Sequence, residues 1–115
     1  MESRAPRRGE IWSVYTPGQP EDPHQPRPAL VVSEDVRNRM TDDVIVVPIF
    51  PTHIPIGEGV GGLPHDSVLL CEEITTITRD FMGDGPLGLG VSTGLLERVI
   101  RAVRRALGEL VPEPE

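Results

Sequence analysis

Arg27 is the residue whose surroundings best suit chemistry. It stands directly before Pro28, and a residue before proline is held in an extended conformation. Pro28 lacks an N–H group and therefore suits the first position of a strand, which the apolar run Ala29–Val32 continues. An arginine fixed where a loop meets a rigid sheet is well placed to grip an anion. A solvated loop arginine is the alternative interpretation.

Other polar side chains near this arginine could transfer a proton or contact a ligand. His24 and Gln25 precede it in the segment 16–26, which holds four prolines and no other apolar side chain. Exposed loops on rigid scaffolds often carry function. His53 and His65 flank a glycine-rich stretch and could serve in the same way. For each histidine, an ordinary surface position remains the alternative.

Composition predicts one small domain over residues 1–115, with 1–7 and 111–115 frayed. The net charge is −7, which argues against indiscriminate binding of nucleic acid. The single cysteine, Cys71, lies in an apolar run and is expected to be a small buried hydrophobe, as fits a reducing cytoplasm. No spacing of His, Cys, Asp and Glu is typical of zinc, so we expect no metal or cofactor. No apolar run approaches the roughly 20 residues of a membrane span, and the N-terminus shows no signal peptide.

Short runs of alternating or β-branched residues predict a strand-rich body. The expected strands are Gly9–Tyr15, Ala29–Val32, Val44–Val47, a proline-interrupted edge strand at Phe50–Ile56, Ser67–Leu70 and Thr75–Ile77. Residues 57–63 and 82–90 are rich in glycine and are expected to be loops.

Two helices are predicted. The longer begins after Ser92 or Thr93 and runs to about Leu110, with an apolar face at 3–4 spacing. That face comprises Leu95, Leu96, Val99, Ile100, Val103, Ala106, Leu107 and Leu110. A single turn over Asp35–Arg39 has Ser33 as its expected N-cap.

Five motifs occur in order and together resemble the MazF/PemK toxin family over roughly residues 7 to 110. They are Gly9-Glu10-Ile11-Trp12, the run Arg27–Ser33, Asn38-Arg39, Val47-Pro48-Ile49 and the run Asp66–Glu72. The resemblance implies a mainly β (α+β) fold, an SH3-like small barrel of the CcdB/PemK type. This barrel would have five to seven short strands and a C-terminal amphipathic helix, and would work as a homodimer with an RNA groove at its interface.

The resemblance also implies a function. Family members are toxins of type II toxin–antitoxin systems that cleave single-stranded mRNA without a metal, at particular sequences, by attack of the ribose 2′-OH. Arg27 matches the family's catalytic arginine and would stabilise charge on the phosphoryl oxygens. We assign His24, Gln25 and His53 to RNA binding. The expected partner in the cytoplasm is a small acidic, MazE-like antitoxin that inhibits the toxin.

Two positions depart from the family pattern. A catalytic Ser or Thr commonly follows the Pro-Ile pair, whereas Phe50 stands here and the nearest hydroxyl is Thr52, which we take as the second catalytic residue. Thr75 stands where an arginine is common. A CcdB-like toxin that binds gyrase without nuclease chemistry, or a divergent inactive member, therefore remains an alternative.

Overall fold

The computed structural model describes residues 4–15, 26–50, 54–69 and 71–109. Seven strands lie in these ranges: β1 (Ile11–Val14), β2 (Arg27–Val31), β3 (Asp43–Phe50), β4 (Ile54–Ile56), β5 (Ser67–Leu69), β6 (Thr75–Thr78) and β7 (Met82–Pro86). They are joined by two α-helices, α1 (Asp35–Met40) and α2 (Thr93–Ala106), and by short 3₁₀ turns at Val60–Gly62, Cys71–Glu73 and Arg79–Phe81.

All strand pairs are antiparallel, and the strands follow the order β4-β5-β3-β2-β1-β7, with β6 added to β3. The mainly β fold with a C-terminal helix is confirmed. In the ranges described above, β4 and β7 end the path without pairing with each other. The sheet is therefore open, where we had expected a barrel.

Strand β3 organises the sheet because it pairs with three others. Its residues Val46–Pro48 pair with β2, Ile49 and Phe50 pair with β5, and Asp43–Val46 pair with β6. Since neighbouring strands are antiparallel, the start of β2, the end of β3 and the start of β5 meet at one end of the strands. We call this end of the sheet, which holds Arg27, the β2/β3/β5 edge.

Alternation along the strands divides the buried side chains between the two faces of the sheet. One cluster packs on α2 and includes Ile11, Leu30, Val47, Ile49, Leu69, Val99 and Val103. The cluster on the other face includes Trp12, Val14, Ala29, Val31, Val44 and Val46. Trp12 is only 1% exposed and belongs to the core, and Cys71 is buried as predicted.

The C-terminal helix begins as predicted and ends earlier. The Ser92 hydroxyl accepts a hydrogen bond of 3.1 Å from the N–H of Leu95, which makes Ser92 its N-cap. Val99 and Val103 are buried, whereas Leu107 is 76% exposed and lies beyond the last helical residue. Gly108 follows with a φ of 94°, a conformation that commonly ends helices. The helix therefore ends before the predicted boundary near Leu110, a residue that itself lies outside the described ranges.

Two local predictions are corrected. The expected loop 82–90 contains the strand β7, because Met82 and Pro86 pair with the edge of β1, and a pairing partner overrides the weak strand propensity of glycine. Ser33 is not the N-cap of α1, since Glu34 holds that position without a side-chain bond. The Ser33 hydroxyl instead bonds Asn38 and accepts the N–H of Ile45.

The N-terminal residues that the structure describes are packed, although we had expected residues 1–7 to fray. Pro6 is fully buried, and its carbonyl accepts a hydrogen bond of 3.1 Å from the buried Asn38 amide. Arg4 forms an ion pair with Glu10. These contacts tie the segment before β1 to α1 and to the sheet.

Candidate active site

A cleft of about 210 Å³ opens at the β2/β3/β5 edge. Its lining is a cation, a short polar segment and an apolar floor, formed by Arg27, Pro28, Ile49, Leu63, Pro64, His65, Asp66 and Ser67. We call this the Arg27 cleft. Its two walls come from parts of the chain that are far apart in sequence, and the strand of each wall pairs with β3.

The first wall is held by strand pairing. Arg27 is the first residue of β2 and lies opposite Val14 of β1, while Ala29 two residues later pairs with Pro48 of β3. The backbone of β2 is therefore fixed on both sides. Arg27 itself is half-buried, so its guanidinium is presented from a rigid element rather than from a solvated loop, as the Arg-Pro sequence predicts.

The second wall is the segment His65–Ser67, which leads into β5. The Asp66 carboxylate accepts the N–H of Glu58 at 2.8 Å and so closes the loop before β5. The Ser67 hydroxyl donates to the carbonyl of His65 at 3.2 Å. His65 is exposed.

This wall is anchored by a close backbone contact. Gly62 adopts a φ of +89°, and a Cβ at this position would lie 2.4 Å from the carbonyl carbon and oxygen of Leu87. The contact is reciprocal, because a Cβ at Gly88 would in turn meet the backbone of Gly62. Only glycine permits this approach, which attaches the loop before His65 to the segment that leads into α2.

Together these groups suit reactions of a phosphate ester. Arg27 can offer two parallel N–H bonds to phosphoryl oxygens, and an imidazole in the same cleft can carry a proton. The floor formed by Pro28, Ile49 and Leu63 excludes some of the water that would otherwise screen the cation, which strengthens its effect on developing charge. In the part of the chain that the structure describes, no group of three or more His, Cys, Asp and Glu side chains could hold a metal ion.

A larger cavity of about 400 Å³ lies elsewhere, over α2, and is lined by Arg8, Thr93, Leu96, Glu97, Ile100, Arg101 and Arg104. None of the residues in the five sequence motifs lines it. We therefore place the chemistry in the smaller Arg27 cleft.

The family assignment rests on nearly the whole chain. Residues 7–111 match the model of the PemK-like, MazF-like toxins of type II toxin–antitoxin systems. The chain belongs to this family.

Individual members of the PemK/MazF family show the same relationship. The chain is 31% identical over 87 residues to the endoribonuclease EndoA of Bacillus subtilis, covering 68% of this chain and 75% of the relative. It is 30% identical over 83 residues to the endoribonuclease MazF of Staphylococcus saprophyticus, covering 64% and 69%. Among solved structures, a mycobacterial endoribonuclease in complex with its cognate antitoxin superposes with a TM-score of 0.74 at 27% identity, over 95% of this chain and 99% of that one.

The predicted site residues have different outcomes. The structure places Arg27 in the cleft. His24, Gln25, Thr52 and His53 lie outside the described residues. The sequence alone gives His65 no position relative to Arg27, and the structure brings the two into one cleft.

Sequence reasoning missed Asp66 and Ser67 as parts of the cleft. The available signal was a polar triplet, His65-Asp66-Ser67, directly before an apolar strand. Its proximity to Arg27 depends on the pairing of β5 with β3, which periodicity alone does not reveal.

The two departures from the PemK/MazF pattern have defined positions. Phe50 is the last residue of β3 and pairs with Val68 of β5, so the substitution falls on the β2/β3/β5 edge. Thr75 opens β6 opposite Val46, is exposed and does not line the Arg27 cleft. The loss of the arginine there leaves the described walls of the cleft intact.

Proposed function

We propose that this toxin is an endoribonuclease that cleaves single-stranded mRNA at particular sequences, without a metal ion. The observation that carries the proposal is the position of Arg27. As the first residue of β2 it is fixed by strand pairing, and it shares one cleft with His65. The names of the relatives from Bacillus and Staphylococcus, both endoribonucleases, support it.

The reaction follows from the groups in the cleft. The ribose 2′-oxygen forms a bond to the adjacent phosphorus while the bond to the 5′-oxygen breaks. This leaves a 2′,3′-cyclic phosphate on one fragment and a 5′-hydroxyl on the other. Arg27 stabilises the charge that grows on the phosphoryl oxygens. His65 takes the proton of the 2′-OH or supplies one to the leaving oxygen.

Further contacts follow the family pattern. We propose Thr52 as a second catalytic residue, and His24, Gln25 and His53 as residues that bind RNA. Residues 16–26 directly precede Arg27, and residues 51–53 directly follow the end of β3. Both segments are therefore connected to the β2/β3/β5 edge.

We propose a small acidic, MazE-like antitoxin as the partner of this toxin, and a homodimer as its working form. The mycobacterial relative was solved with its cognate antitoxin, which supports the first of these. We place the toxin in the cytoplasm, where mRNA is available. None of the helices in the described ranges is long and apolar enough to cross a bilayer.

The test is cleavage of a single-stranded RNA by the purified, antitoxin-free toxin in EDTA. We expect fragments that end in a 2′,3′-cyclic phosphate and begin with a 5′-hydroxyl. Replacing the ribose on the 5′ side of the cut by 2′-deoxyribose should abolish cleavage, because the internal nucleophile is then absent. A toxin that cuts no RNA, yet arrests growth or binds gyrase, would be a binding module instead.

A further inference from the structure

Two of the four aromatic residues of this chain are exposed at the border of the site. The sequence holds one Trp, one Tyr and two Phe, and Trp12 is fully buried. Tyr15 is 50% exposed and Phe81 is 39% exposed. In a chain with so few aromatic side chains, placing two of them in solvent needs a reason.

The two residues are adjacent just beyond the paired ends of β1 and β7. Strand β1 pairs with β7 through Val14 opposite Met82, and one step further out the N–H of Tyr15 donates to the carbonyl of Phe81 at 2.7 Å. Tyr15 directly follows the last residue of β1, and Phe81 ends the 3₁₀ turn directly before β7. This bond brings two exposed aromatic residues together, and we call them the Tyr15/Phe81 platform.

The platform lies beside the residue that pairs with Arg27. Val14 is opposite Arg27 of β2 on one side and Met82 of β7 on the other. Tyr15 directly follows Val14, and Phe81 directly precedes Met82. One strand, β1, therefore separates Arg27 from the platform.

We propose that Tyr15 and Phe81 stack on the base of a nucleotide next to the scissile phosphate. This inference rests on the proposed function, because it requires RNA in the Arg27 cleft. Unpaired bases of single-stranded RNA stack on aromatic side chains, and each such contact stabilises binding independently of base identity. With a net charge of −7, the protein gains little from general attraction of phosphates. The platform therefore holds the strand in register beside Arg27.

The first test is kinetic. Tyr15→Ala and Phe81→Ala should each lower kcat/KM for a short RNA by about 5- to 150-fold, the range expected when one base loses its stacking partner. Tyr15→Phe and Phe81→Tyr keep the ring and should retain activity near that of the wild type. Leu89→Ala is the matched control, because Leu89 is 89% exposed and lies beyond the opposite end of β7.

The second test removes the base instead of the ring. An RNA with an abasic nucleotide next to the cut should be cleaved more slowly by the wild type. With this substrate, Tyr15→Ala and Phe81→Ala should cause no further loss. A 2′-deoxy oligonucleotide with 2-aminopurine at that position reports stacking without cleavage. Its fluorescence should be quenched by the wild type and by Leu89→Ala, and less by the two alanine variants.

The outcomes test the platform and the proposed endoribonuclease activity separately. If the wild type cuts RNA and both alanine variants keep its kcat/KM, the platform is wrong and the endoribonuclease stands. If the wild type cuts no RNA, the proposed function fails, and absence of 2-aminopurine quenching rejects the platform independently. If light scattering shows that the alanine variants have half the molar mass of the wild type, this face is a subunit interface and the platform is wrong. The ring-conserving variants decide the matter if an alanine variant does not fold.

Discussion

The indole N–H of Trp12 donates a hydrogen bond of 3.1 Å to a carboxylate oxygen of Glu10, two residues earlier in the chain. The same carboxylate accepts the N–H of Arg7 at 2.7 Å and the guanidinium of Arg4. Burial alone would raise the pKa of Glu10, but the bonds from Arg4, Arg7 and Trp12 together bring that pKa below its ordinary value. The Gly-Glu-Ile-Trp motif therefore holds a polar network around the buried Glu10 carboxylate, which fastens the N-terminal segment to the core.

This network predicts an acid-sensitive part of the stability. A carboxyl group whose pKa is lowered by folding stabilises the folded state above its unfolded pKa, about 4.3 for Glu. That stability is lost as the pH falls through the lower, folded pKa. Glu10→Gln should therefore reduce the free energy of unfolding at pH 7, and the difference from the wild type should shrink as the pH falls below about 4. Urea denaturation at both pH values measures this, with the exposed Glu97→Gln as control. A difference that stays constant with pH would contradict it.

The role of Arg27 separates a nuclease from a binder. Arg27→Ala should lower cleavage by about 10²-fold or more, the loss found for a single group that stabilises transition-state charge. Arg27→Lys should restore activity only in part, because an ammonium cannot form the planar two-pronged bond. Arg39→Ala, on the exposed side of α1, is the matched control. Unchanged cleavage by Arg27→Ala, with melting like that of the wild type, would remove Arg27 from the mechanism.

His65 should act through proton transfer. A general acid or base commonly contributes about 10²- to 10⁴-fold, so His65→Gln should lower kcat by an amount in this range. The decisive measurement separates kcat from KM, since a group that acts only in the transition state lowers kcat and kcat/KM equally. A rise in KM with kcat unchanged would indicate that His65 only shapes the wall. Thr52 or a histidine outside the described residues would then be the next group to test.

The contact of Gly62 with Leu87 predicts a position where alanine is not tolerated. Gly62 and Gly59 have nearly the same positive φ, 89° and 88°, but nothing lies within 4 Å of a Cβ at Gly59. Gly59→Ala should therefore cost only the left-handed strain of about 1–2 kcal/mol. Gly62→Ala should cost about 1–3 kcal/mol more, because backbone must move. Thermal unfolding compares the two variants, and equal losses would show that the backbone contact is loose.

The loss in free energy of unfolding on truncating a side chain of α2 should follow the burial of that side chain. Val99 is fully buried, so Val99→Ala should cost about 2 kcal/mol through lost methyl burial and a residual cavity. Leu107→Ala should change the free energy of unfolding by less than about 0.5 kcal/mol, since Leu107 is mostly exposed. Leu96, expected from its spacing to be a core residue, is half-buried and should fall between these. A larger loss of stability at Leu107 than at Val99 would show that the helix packs on the sheet through a different face.

Sequence and structure agree where a signal is local. The apolar runs that became β2 and β3 are short and rich in β-branched residues, and Ser92 precedes an unbroken 3–4 pattern. Strand β7 was missed because Met82–Pro86 contains two glycines and a proline, and it becomes a strand only because β1 offers an edge.

The same reasoning explains what was predicted of the site. Arg27 carries its own signal, since a proline follows it and a strand begins there. The residues His65–Ser67 begin 38 positions after Arg27 in the sequence, and the pairing of β5 with β3 brings them to it. Roles that depend on such contacts are not visible in local patterns.

Strand β3 gives the site a mechanical property. One wall of the Arg27 cleft belongs to β2 and the other leads into β5, and both strands pair with the last residues of β3, around Pro48 and Ile49. The width of the gap between cation and imidazole therefore depends on the curvature of β3 at these residues. Substitutions at Pro48 or Ile49 should widen or narrow this gap and so change which conformations of the RNA backbone fit in the cleft. Every polar group that performs the reaction would stay the same.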